Sequence, residues 1–552
     1  MGLAAGRLSQ FAGDRYDLLV IGGGITGCGA ARDAARRGLK VALVEAQDIA
    51  YGTSSRSSKL VHGGLRYLEQ REFSLVFEAV SERRTLMNIA PHLVRPLGFI
   101  FPVYAHSRFG MRVLQAGLWL YDGLSLFRSP KRHRILTPDE VAKEVPPLGR
   151  TELKGAPLYY DCQTDDARLT LETVLDARSQ GAAVATYARV TGLLRDSVGR
   201  VVGARVRDVL GDDEVDVNAT VVINATGPWV DRTRALGLGG EALLRPTKGV
   251  HLVLEAERLP VRHAIVCNHP HDDRVLFAIP WGDRTIVGTT DTDFSGDPGK
   301  VSATRADVDY LLNAMNAYFP DSKLAPGDVI ATWSGVRPLI GADGVSASSV
   351  SREHEITVDP DGLITIAGGK LTTYRRMAAE LVTRALEMMA ILGKMPEDVK
   401  DANTGRRPLP GAVGWPDDDD FDTIAAQAVE ASMGTVPRSV ARHLIERYGM
   451  RGVEIARLLA SDDSLREPLV PGRPEVLGLV DWAVKLELAQ TVRDVMERRT
   501  QLFLRDKDQG LAAVDKVASR MASLLGWCDE RKTREILTYQ EIVALSRQWQ
   551  QE

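Results

Sequence analysis

Cysteine is scarce in this chain, and the four cysteines are scattered. Cys28, Cys162, Cys267 and Cys528 form no C-x-x-C pair and no metal-type spacing. This excludes the redox pair of a disulfide reductase and is typical of a protein from a reducing cytoplasm. We expect each cysteine to be a small buried apolar residue.

Long apolar runs are missing as well. No stretch reaches the roughly 18 apolar residues that span a bilayer, and residues 1–15 lack the apolar core of a signal peptide. The charges nearly balance, with 69 Lys and Arg against 73 Asp and Glu. We therefore expect no nucleic-acid partner and a cytoplasmic protein of ordinary globular composition. A length of 552 residues suggests two to four domains.

Clustered metal ligands are also lacking. His269 and His271 in the HPHDD stretch have no further ligand group close by in the sequence. The acidic run at residues 417–420 is an uninterrupted block of Asp, which is typical of a solvated face. We expect no metal site.

Residues 16–45, YDLLVIGGGITGCGAARDAARRGLKVALVE, predict a strand, a tight turn, a helix and a second strand. Gly22, Gly24 and Gly27 form G-x-G-x-x-G at the end of the first strand, a spacing that suits a pyrophosphate at the helix N-terminus. Glu45 ends the second strand 18 residues after Gly27, where a ribose partner is expected. The alternative is a glycine-rich turn that binds nothing.

Three later segments could border the same ligand. Residues 46–67 are rich in Gly, Ser and Thr and contain His62, Gly63, Gly64 and Arg66. A surface loop with a solvated Arg66 is the alternative there. The strand at residues 220–225 ends in Ala-Thr-Gly, and a Gly-Gly turn before Lys370 opens a helix, which is a second anion-friendly terminus.

The order of the elements predicts an α/β protein. We expect a Rossmann-like FAD-binding domain, a mixed or antiparallel substrate-binding sheet domain, and a C-terminal all-α domain. The expected bounds are a disordered lead-in at 1–15; FAD-binding segments at about 16–90, 160–240 and 340–392; substrate-binding or cap segments at about 91–159 and 241–339; a linker at 393–424; and the helical domain at 425–552. In the last part, residues 479–504 form the longest helical pattern.

A flavin is favoured over an exchanging nicotinamide. Only one G-x-G-x-x-G is present, whereas a nicotinamide-dependent flavin reductase would usually need a second nucleotide fold. The organic substrate must then deliver its electrons directly to the flavin.

At this point the chain resembles the FAD-dependent glycerol-3-phosphate dehydrogenases, the aerobic respiratory enzymes of the glycine oxidase/D-amino-acid oxidase superfamily. The matching segments include EAQDIAYGTSSRSSKLVHGGLRYLE, DDARL, NATGPWVD, TKGVH, WSGVRPL and GGKLTTYR. The resemblance covers residues from about 16 to 525. It implies oxidation of sn-glycerol 3-phosphate to dihydroxyacetone phosphate, with FAD reoxidised by a membrane quinone, on the inner face of the cell membrane. A homodimer is also expected.

The resemblance also implies the site residues. The expected FAD contacts are Gly22, Gly23, Gly24, Ile25, Thr26, Gly27, Glu45, Ala46, Thr53, Ser54, Ser55, Ser58, Lys59, His62, Gly63, Gly64, Val190, Ala225, Thr226, Gly227, Gly369, Lys370, Leu371 and Thr372. The expected substrate contacts are Arg66, Tyr67, Arg337 and Lys370.

The chemistry agrees with these assignments. A phosphate monoester carries nearly two negative charges, which arginine and lysine side chains suit. The C2 hydroxyl must lose a proton as C2 gives up hydride, and histidine is the natural base. Our order of preference is His62 and then His251; either could instead be a core or flavin-packing histidine. The turn at 369–372 would stabilise a reduced anionic flavin.

Three alternatives stay open. A glycerol-3-phosphate oxidase would pass electrons to oxygen; that branch carries an extra segment between the positions of Arg337 and Lys370, and here the gap is short. An amino-acid oxidase is disfavoured by the three cations. A non-catalytic FAD-binding protein is the third. Residues 108–124 could contact a membrane surface or pack on their own domain.

Overall fold

A computed structural model describes residues 7–64, 72–124, 131–341 and 353–552 of the protein. The strands in these residues are β1 (Arg15–Ile21), β2 (Val41–Val44), β3 (Leu60–Val61), β4 (Arg95–Ile100), β5 (Val103–Tyr104), β6 (Arg134–Leu136), β7 (Leu153–Gln163), β8 (Ala183–Ala185), β9 (Ala188–Arg195), β10 (Val201–Asp208), β11 (Glu214–Asn224), β12 (Leu244–Glu255), β13 (Ala264–Asn268), β14 (Val275–Trp281), β15 (Arg284–Gly288), β16 (Thr292–Asp293), β17 (Val329–Ile340), β18 (His354–Val358) and β19 (Ile364–Gly368).

The helices are α1 (Ile25–Arg36), α2 (Phe73–Ile89), α3 (Met111–Leu124), α4 (Pro138–Glu144), α5 (Asp166–Ser179), α6 (Val230–Arg234), α7 (Arg305–Tyr318), α8 (Tyr374–Ile391), α9 (Phe421–Ala431), α10 (Arg438–Tyr448), α11 (Arg451–Ala460), α12 (Gly478–Leu486), α13 (Leu502–Arg505), α14 (Val514–Leu525) and α15 (Asp529–Ser546).

The first sheet has the order β18-β19-β11-β1-β2-β8, with β10 pairing antiparallel to β11 and to β9. Strand β1 lies between β2 and β11 and is parallel to both. Its side chains alternate between two cores: Leu18 and Val20 pack with α1, α5 and α8, while Leu19 and Ile21 pack with β10 and β11. Burial on both faces explains why β1 and β2 are almost continuously apolar. The Rossmann-like prediction is confirmed.

The second sheet has the order β16-β12-β15-β14-β13-β4-β7-β3, with β17 on the other side of β12. Its pairs are antiparallel except β4 with β13, which confirms the predicted mixed or antiparallel sheet. The register of β12 places His251 opposite Trp333 of β17 and Gly288 of β15. The same register sets Thr247 opposite Arg337.

The C-terminal region is helical, as predicted. Helices α9 to α11 share one apolar core, whereas α12 to α15 pack on the second sheet in a cluster that includes Trp281 and Trp333. The predicted long helix at 479–504 is wrong. It divides into α12, a π-helical turn at Asp494–Arg499 and α13, because Leu488 and Gln501 have φ of 64° and 62°, a left-handed conformation that interrupts a right-handed helix.

The structure tests the expectation that all four cysteines are buried. Cys28, Cys162 and Cys267 are buried, but Cys528 is exposed, so the prediction for that cysteine is wrong. Its position one residue before α15 explains the exposure, since it lies at the N-cap of a surface helix. None of the helices in the described residues is long and apolar enough to cross a membrane.

Candidate active site

The glycine turn after β1 is closed by steric contacts that exclude side chains. Gly22 has φ of 113°, and a Cβ there would lie 2.5 Å from the carbonyl oxygen of Ala225. A Cβ on Gly27 would lie 2.0 Å from the carbonyl oxygen of Gly22. The turn therefore needs glycine at both positions, and it leaves the N-terminus of α1 open to a ligand.

Glu45 fixes this turn from the neighbouring strand end. Its carboxylate accepts hydrogen bonds of 2.6 Å from the Gly23 amide and 2.8 Å from the Gln47 amide. Burial raises the pKa of Glu45 above its ordinary value, although both amides oppose the shift. Two oxygens can accept about four hydrogen bonds, so a ribose hydroxyl could still bind here.

A cleft of about 740 Å³ begins at this turn, a size typical of ligand sites. Its lining includes most of the residues expected to contact a cofactor: Gly22, Gly24, Ile25, Thr26, Glu45, Ala46, Thr53, Ser54, Val190, Ala225, Thr226, Gly227, Gly369, Lys370 and Leu371. The cleft therefore joins the glycine turn to the turn before α8.

The other expected cofactor residues are not part of this lining. Gly23 packs against Glu45, and a Cβ on Gly63 would collide with the Tyr121 hydroxyl. Ser55, Ser58 and Gly64 belong to the loop that borders the cleft.

Sequence reasoning missed other residues of the lining, among them Tyr51, Asp166, Trp229 and Lys300. Asp166 belongs to the DDARL segment and Trp229 follows the Ala-Thr-Gly-Pro turn, so the signal for these two was present in the sequence.

Lys59 is a buried structural cation. Its Nζ lies 2.6 Å from Asp166 Oδ1, with side chains 1% and 0% exposed. The second oxygen of Asp166 accepts hydrogen bonds from the amide and hydroxyl of Ser57. The Lys59 ammonium also lies 5.4 Å from the ring centre of Trp333. The ion pair thus anchors the serine-rich loop to the N-terminus of α5.

His62 lies beside the turn before α8. Its amide donates to the Thr372 hydroxyl, and that hydroxyl is also within 3.2 Å of the His62 carbonyl oxygen. The contact brings together two segments that are 310 residues apart in the chain.

His251 is buried on β12 of the second sheet. Its ring stacks on Trp333 with centroids 4.7 Å apart, and its Nε2 lies 2.8 Å from the Ser58 hydroxyl. Gly288 makes room on the other side, because a Cβ there would lie 2.2 Å from the ring. Burial, with Arg337 and Lys59 nearby, lowers the pKa of His251 well below its ordinary value. The imidazole is neutral near pH 7.

Arg337 extends from β17 with its guanidinium held in place. One nitrogen donates to Asp291 at 2.9 Å, and the other to the hydroxyl of Thr289 and the carbonyl of Thr290. Gly249 is required beneath it, since a Cβ there would lie 2.6 Å from the guanidinium. The next residue, Pro338, lines the cleft together with Lys370.

The two other expected substrate contacts, Arg66 and Tyr67, lie outside the described residues. The convergence of Arg66 with Arg337 and Lys370 therefore stays a prediction.

The sheet order and the glycine-lined cleft define a flavin-dependent oxidoreductase. Residues 17–384 match the family model described as FAD dependent oxidoreductase. Residues 402–532 match the model described as C-terminal domain of alpha-glycerophosphate oxidase.

The chain also aligns with named relatives over almost its whole length. It is 40% identical to Glycerol-3-phosphate dehydrogenase 2 of Mycobacterium bovis, covering 95% of this chain and 88% of that protein. It is 34% identical to Alpha-glycerophosphate oxidase of Streptococcus pyogenes, covering 96% and 95%. The chain therefore belongs to the family of FAD-dependent glycerol-3-phosphate dehydrogenases and oxidases.

A solved structure supports this assignment. The glycerol-3-phosphate dehydrogenase from Bacillus halodurans, complexed with FAD, has a TM-score of 0.80 and 31% identity over 98% of this chain and 96% of that chain. Glycine oxidase from Geobacillus kaustophilus, at 23% identity over 67% of this chain and 95% of that chain with a TM-score of 0.51, shares the fold.

FAD is the cofactor, and the residues of the cleft fit it. The glycine turn offers backbone amides at the N-terminus of α1 for a diphosphate, and Glu45 lies at the cleft wall for a ribose. At the other end, residues 368–371 line the cleft where β19 leads into α8.

Proposed function

We propose that the protein oxidises sn-glycerol 3-phosphate to dihydroxyacetone phosphate and passes the electrons to a membrane quinone. The observation that carries this proposal is the position of Lys370 and Pro338 on the cleft that begins at the glycine turn. Two segments that carry proposed cations therefore border the cofactor cleft, since Arg337 immediately precedes Pro338. The names of the relatives point to the same substrate.

The cations provide the phosphate site. Arg337 offers a planar guanidinium whose position Asp291 and Thr289 already fix, and Lys370 adds a point charge. Arg66 is proposed as the third cation. Fixing the phosphate sets the distance from C2 to the flavin ring, because the substrate has only three carbons. Bound FAD supplies a two-electron acceptor for the hydride that leaves C2.

A histidine accepts the proton of the C2 hydroxyl. His62 is the first choice, because its backbone is fixed to Thr372, the residue after Leu371 of the cleft lining. The low pKa of His251 makes this ring a weak base. In this scheme His251 orients Ser58 and packs the site, while His62 takes the proton.

Anaerobic addition of glycerol 3-phosphate to the purified holoenzyme tests the proposal. We expect the absorbance of oxidised flavin to disappear within the first turnover. A flavin that stays oxidised would favour the non-catalytic FAD-binding protein. Bleaching by amino acids instead would favour an amino-acid oxidase.

The acceptor requires a separate test. The alignment with the streptococcal oxidase extends over 589 positions although this chain has 552 residues. The oxidase thus carries residues that this chain lacks, which favours the dehydrogenase. We expect a soluble quinone to be reduced stoichiometrically with little hydrogen peroxide. Peroxide formed in proportion to substrate would instead identify an oxidase.

Helix α3 is proposed as a membrane contact. Val113, Trp119 and Leu120 are exposed on it, whereas Leu118 is buried in the core and Leu114 is half-buried. Attachment to the inner face of the cell membrane would bring the quinone to the enzyme. We also propose a homodimer, which sedimentation of the holoenzyme would test.

A further inference from the structure

The loop at residues 45–52 borders the cofactor cleft on one side and the C-terminal region on the other. Glu45, Ala46, Gln47 and Tyr51 line the cleft. Asp48, between them, is fully buried and does not belong to the lining. The loop is therefore placed where support from behind would affect the ligand in front.

The support behind the loop is a pair of arginines from the π-helical turn Asp494–Arg499. Arg499 donates to both oxygens of Asp48, at 2.8 and 2.9 Å. Arg498 donates to the same carboxylate at 2.6 Å. All three side chains are at most 3% exposed. Burial alone would raise the pKa of Asp48, but the two guanidinium groups lower it below its ordinary value.

The contacts form a closed ring around the loop. Arg498 also donates to Asp494 at 2.9 Å, and Asp494 accepts a 2.6 Å hydrogen bond from the Tyr187 hydroxyl. The amide of Tyr187 donates in turn to the carbonyl oxygen of Gln47. The loop is thus fixed through Asp48 and Gln47 to a single short turn.

Two more contacts carry this support to the cleft. The guanidinium of Arg493 lies 4.9 Å from the centre of the Tyr51 ring, which is part of the cleft wall. The amide of Ala50 donates to the carbonyl oxygen of Gly23 in the glycine turn. A shift of the loop would therefore change both the wall and the turn that face the cofactor.

We infer that the Asp494–Arg499 turn is a positioning element for FAD, so that tight cofactor binding depends on a C-terminal segment that does not line the cleft. Arg498 and Arg499 are its positioning residues, and they act through Asp48. Loss of Arg499 leaves the buried Asp48 carboxylate with Arg498 alone, and loss of the Asp48 charge removes the carboxylate that both guanidinium groups share. Either change weakens a buried ion cluster, and we expect the loop to move so that water reaches the remaining charges.

The test measures FAD affinity rather than turnover. Apoprotein is titrated with FAD, with quenching of flavin fluorescence as the signal, and the melting temperature of each apoprotein is recorded. We expect Arg499→Gln and Asp48→Asn each to raise the Kd for FAD about tenfold or more. The double variant should be little worse than Asp48→Asn alone, because Asp48→Asn already removes the charge that Arg499 binds.

Asp283→Asn is the matched control. Asp283 binds Arg473 and Arg505, which also tie the C-terminal region to the body of the protein but do not touch the 45–52 loop. We expect a lower melting temperature and an unchanged Kd for FAD. If Arg499→Gln gives no soluble protein, Tyr187→Phe and Asp48→Asn decide, since both are nearly isosteric. An unchanged Kd for FAD in Tyr187→Phe and Asp48→Asn would overturn the inference. An equal rise of the Kd for FAD in Asp283→Asn would overturn it as well.

Discussion

The cofactor side and the substrate side of the cleft are built by different means. The part of the cofactor side at residues 22–45 consists of glycine backbone, the N-terminus of α1 and the Glu45 carboxylate. The substrate side proposed above consists of long side chains on β12 and β17, each held by a partner: Asp291 for Arg337, and Ser58 and Trp333 for His251. The difference teaches that the glycine turn forms from residues close in sequence, whereas the side chains proposed to bind the substrate are oriented by partners from distant segments.

Arg337→Ala should have the largest effect, because it should impair substrate turnover while leaving FAD binding intact. We expect kcat/KM for glycerol 3-phosphate to fall about 100-fold or more, because a partly buried charge contact with the phosphate is worth roughly 2–5 kcal/mol. The Kd for FAD should stay within about twofold, since no cofactor contact is removed. Steady-state kinetics and apoprotein titration measure the two quantities.

Arg245→Ala is the control for that substitution. Arg245 lies on β12 of the same sheet and pairs with the exposed Asp293, so kinetics should be unaffected. Loss of FAD from Arg337→Ala, with normal substrate affinity after refilling, would contradict the division between the two sides.

Lys59→Met should act on stability rather than on substrate binding. It leaves Asp166 buried without its cation, which we expect to cost about 3–5 kcal/mol, seen as a fall in the melting temperature of the apoprotein. Lys59→Met combined with Asp166→Asn should recover part of the loss. Lys40→Met removes an exposed pair with Asp14 in the same half of the molecule and should cost less than about 1 kcal/mol.

An equal loss in the Lys40 and Lys59 variants would show that burial of the Lys59 pair is unimportant. A higher KM for glycerol 3-phosphate in Lys59→Met, without loss of stability, would move Lys59 to the substrate side.

His251 should make the folding stability of the protein depend on pH. Its pKa lies well below the ordinary 6.5 in the folded protein, mainly through burial. Below pH 6.5 the unfolded chain therefore binds a proton that the folded protein does not, so folding stability falls as pH falls. We expect His251→Asn to lose this dependence, and its deficit in stability should shrink by about 2 kcal/mol between pH 6.5 and 5.

Melting temperatures of the two proteins across this pH range provide the measurement. His106→Asn is the control, because His106 is exposed and should change nothing. A deficit that is constant with pH would mean that His251 titrates normally.

Trp119→Ser should have the smallest effect of these substitutions. It tests whether the protein attaches to membranes through α3. About half of the Trp119 side chain is exposed, so we expect liposome binding to weaken up to about tenfold, as burying a large apolar side chain is worth roughly 1.5–3 kcal/mol. Flotation of the holoenzyme on anionic liposomes measures this. Val198→Ser, an exposed apolar residue between β9 and β10 on the cofactor half, should float unchanged. If Trp119→Ser and Val198→Ser weakened liposome binding equally, α3 would not be the membrane contact.

Much of this protein could be predicted from local patterns. The order of residues 16–45 predicts a strand, a turn, a helix and a second strand, and the structure has β1, α1 (Ile25–Arg36) and β2 in that order. Glycine spacing and the absence of a second nucleotide motif indicated a flavin, and the family comparisons confirm FAD. These features depend on residues close in sequence, so the pattern is enough.

Tertiary structure alone decided the partners of the charged side chains. Lys59 binds Asp166 across 107 residues and Arg498 binds Asp48 across 450. The continuous helix expected across 479–504 is interrupted at Leu488 and Gln501, whose φ angles are positive, and Arg498 and Arg499 between them contact a loop of the first sheet. Periodicity reports which face of a segment is apolar, but the partner of a buried charge depends on which distant segment packs there.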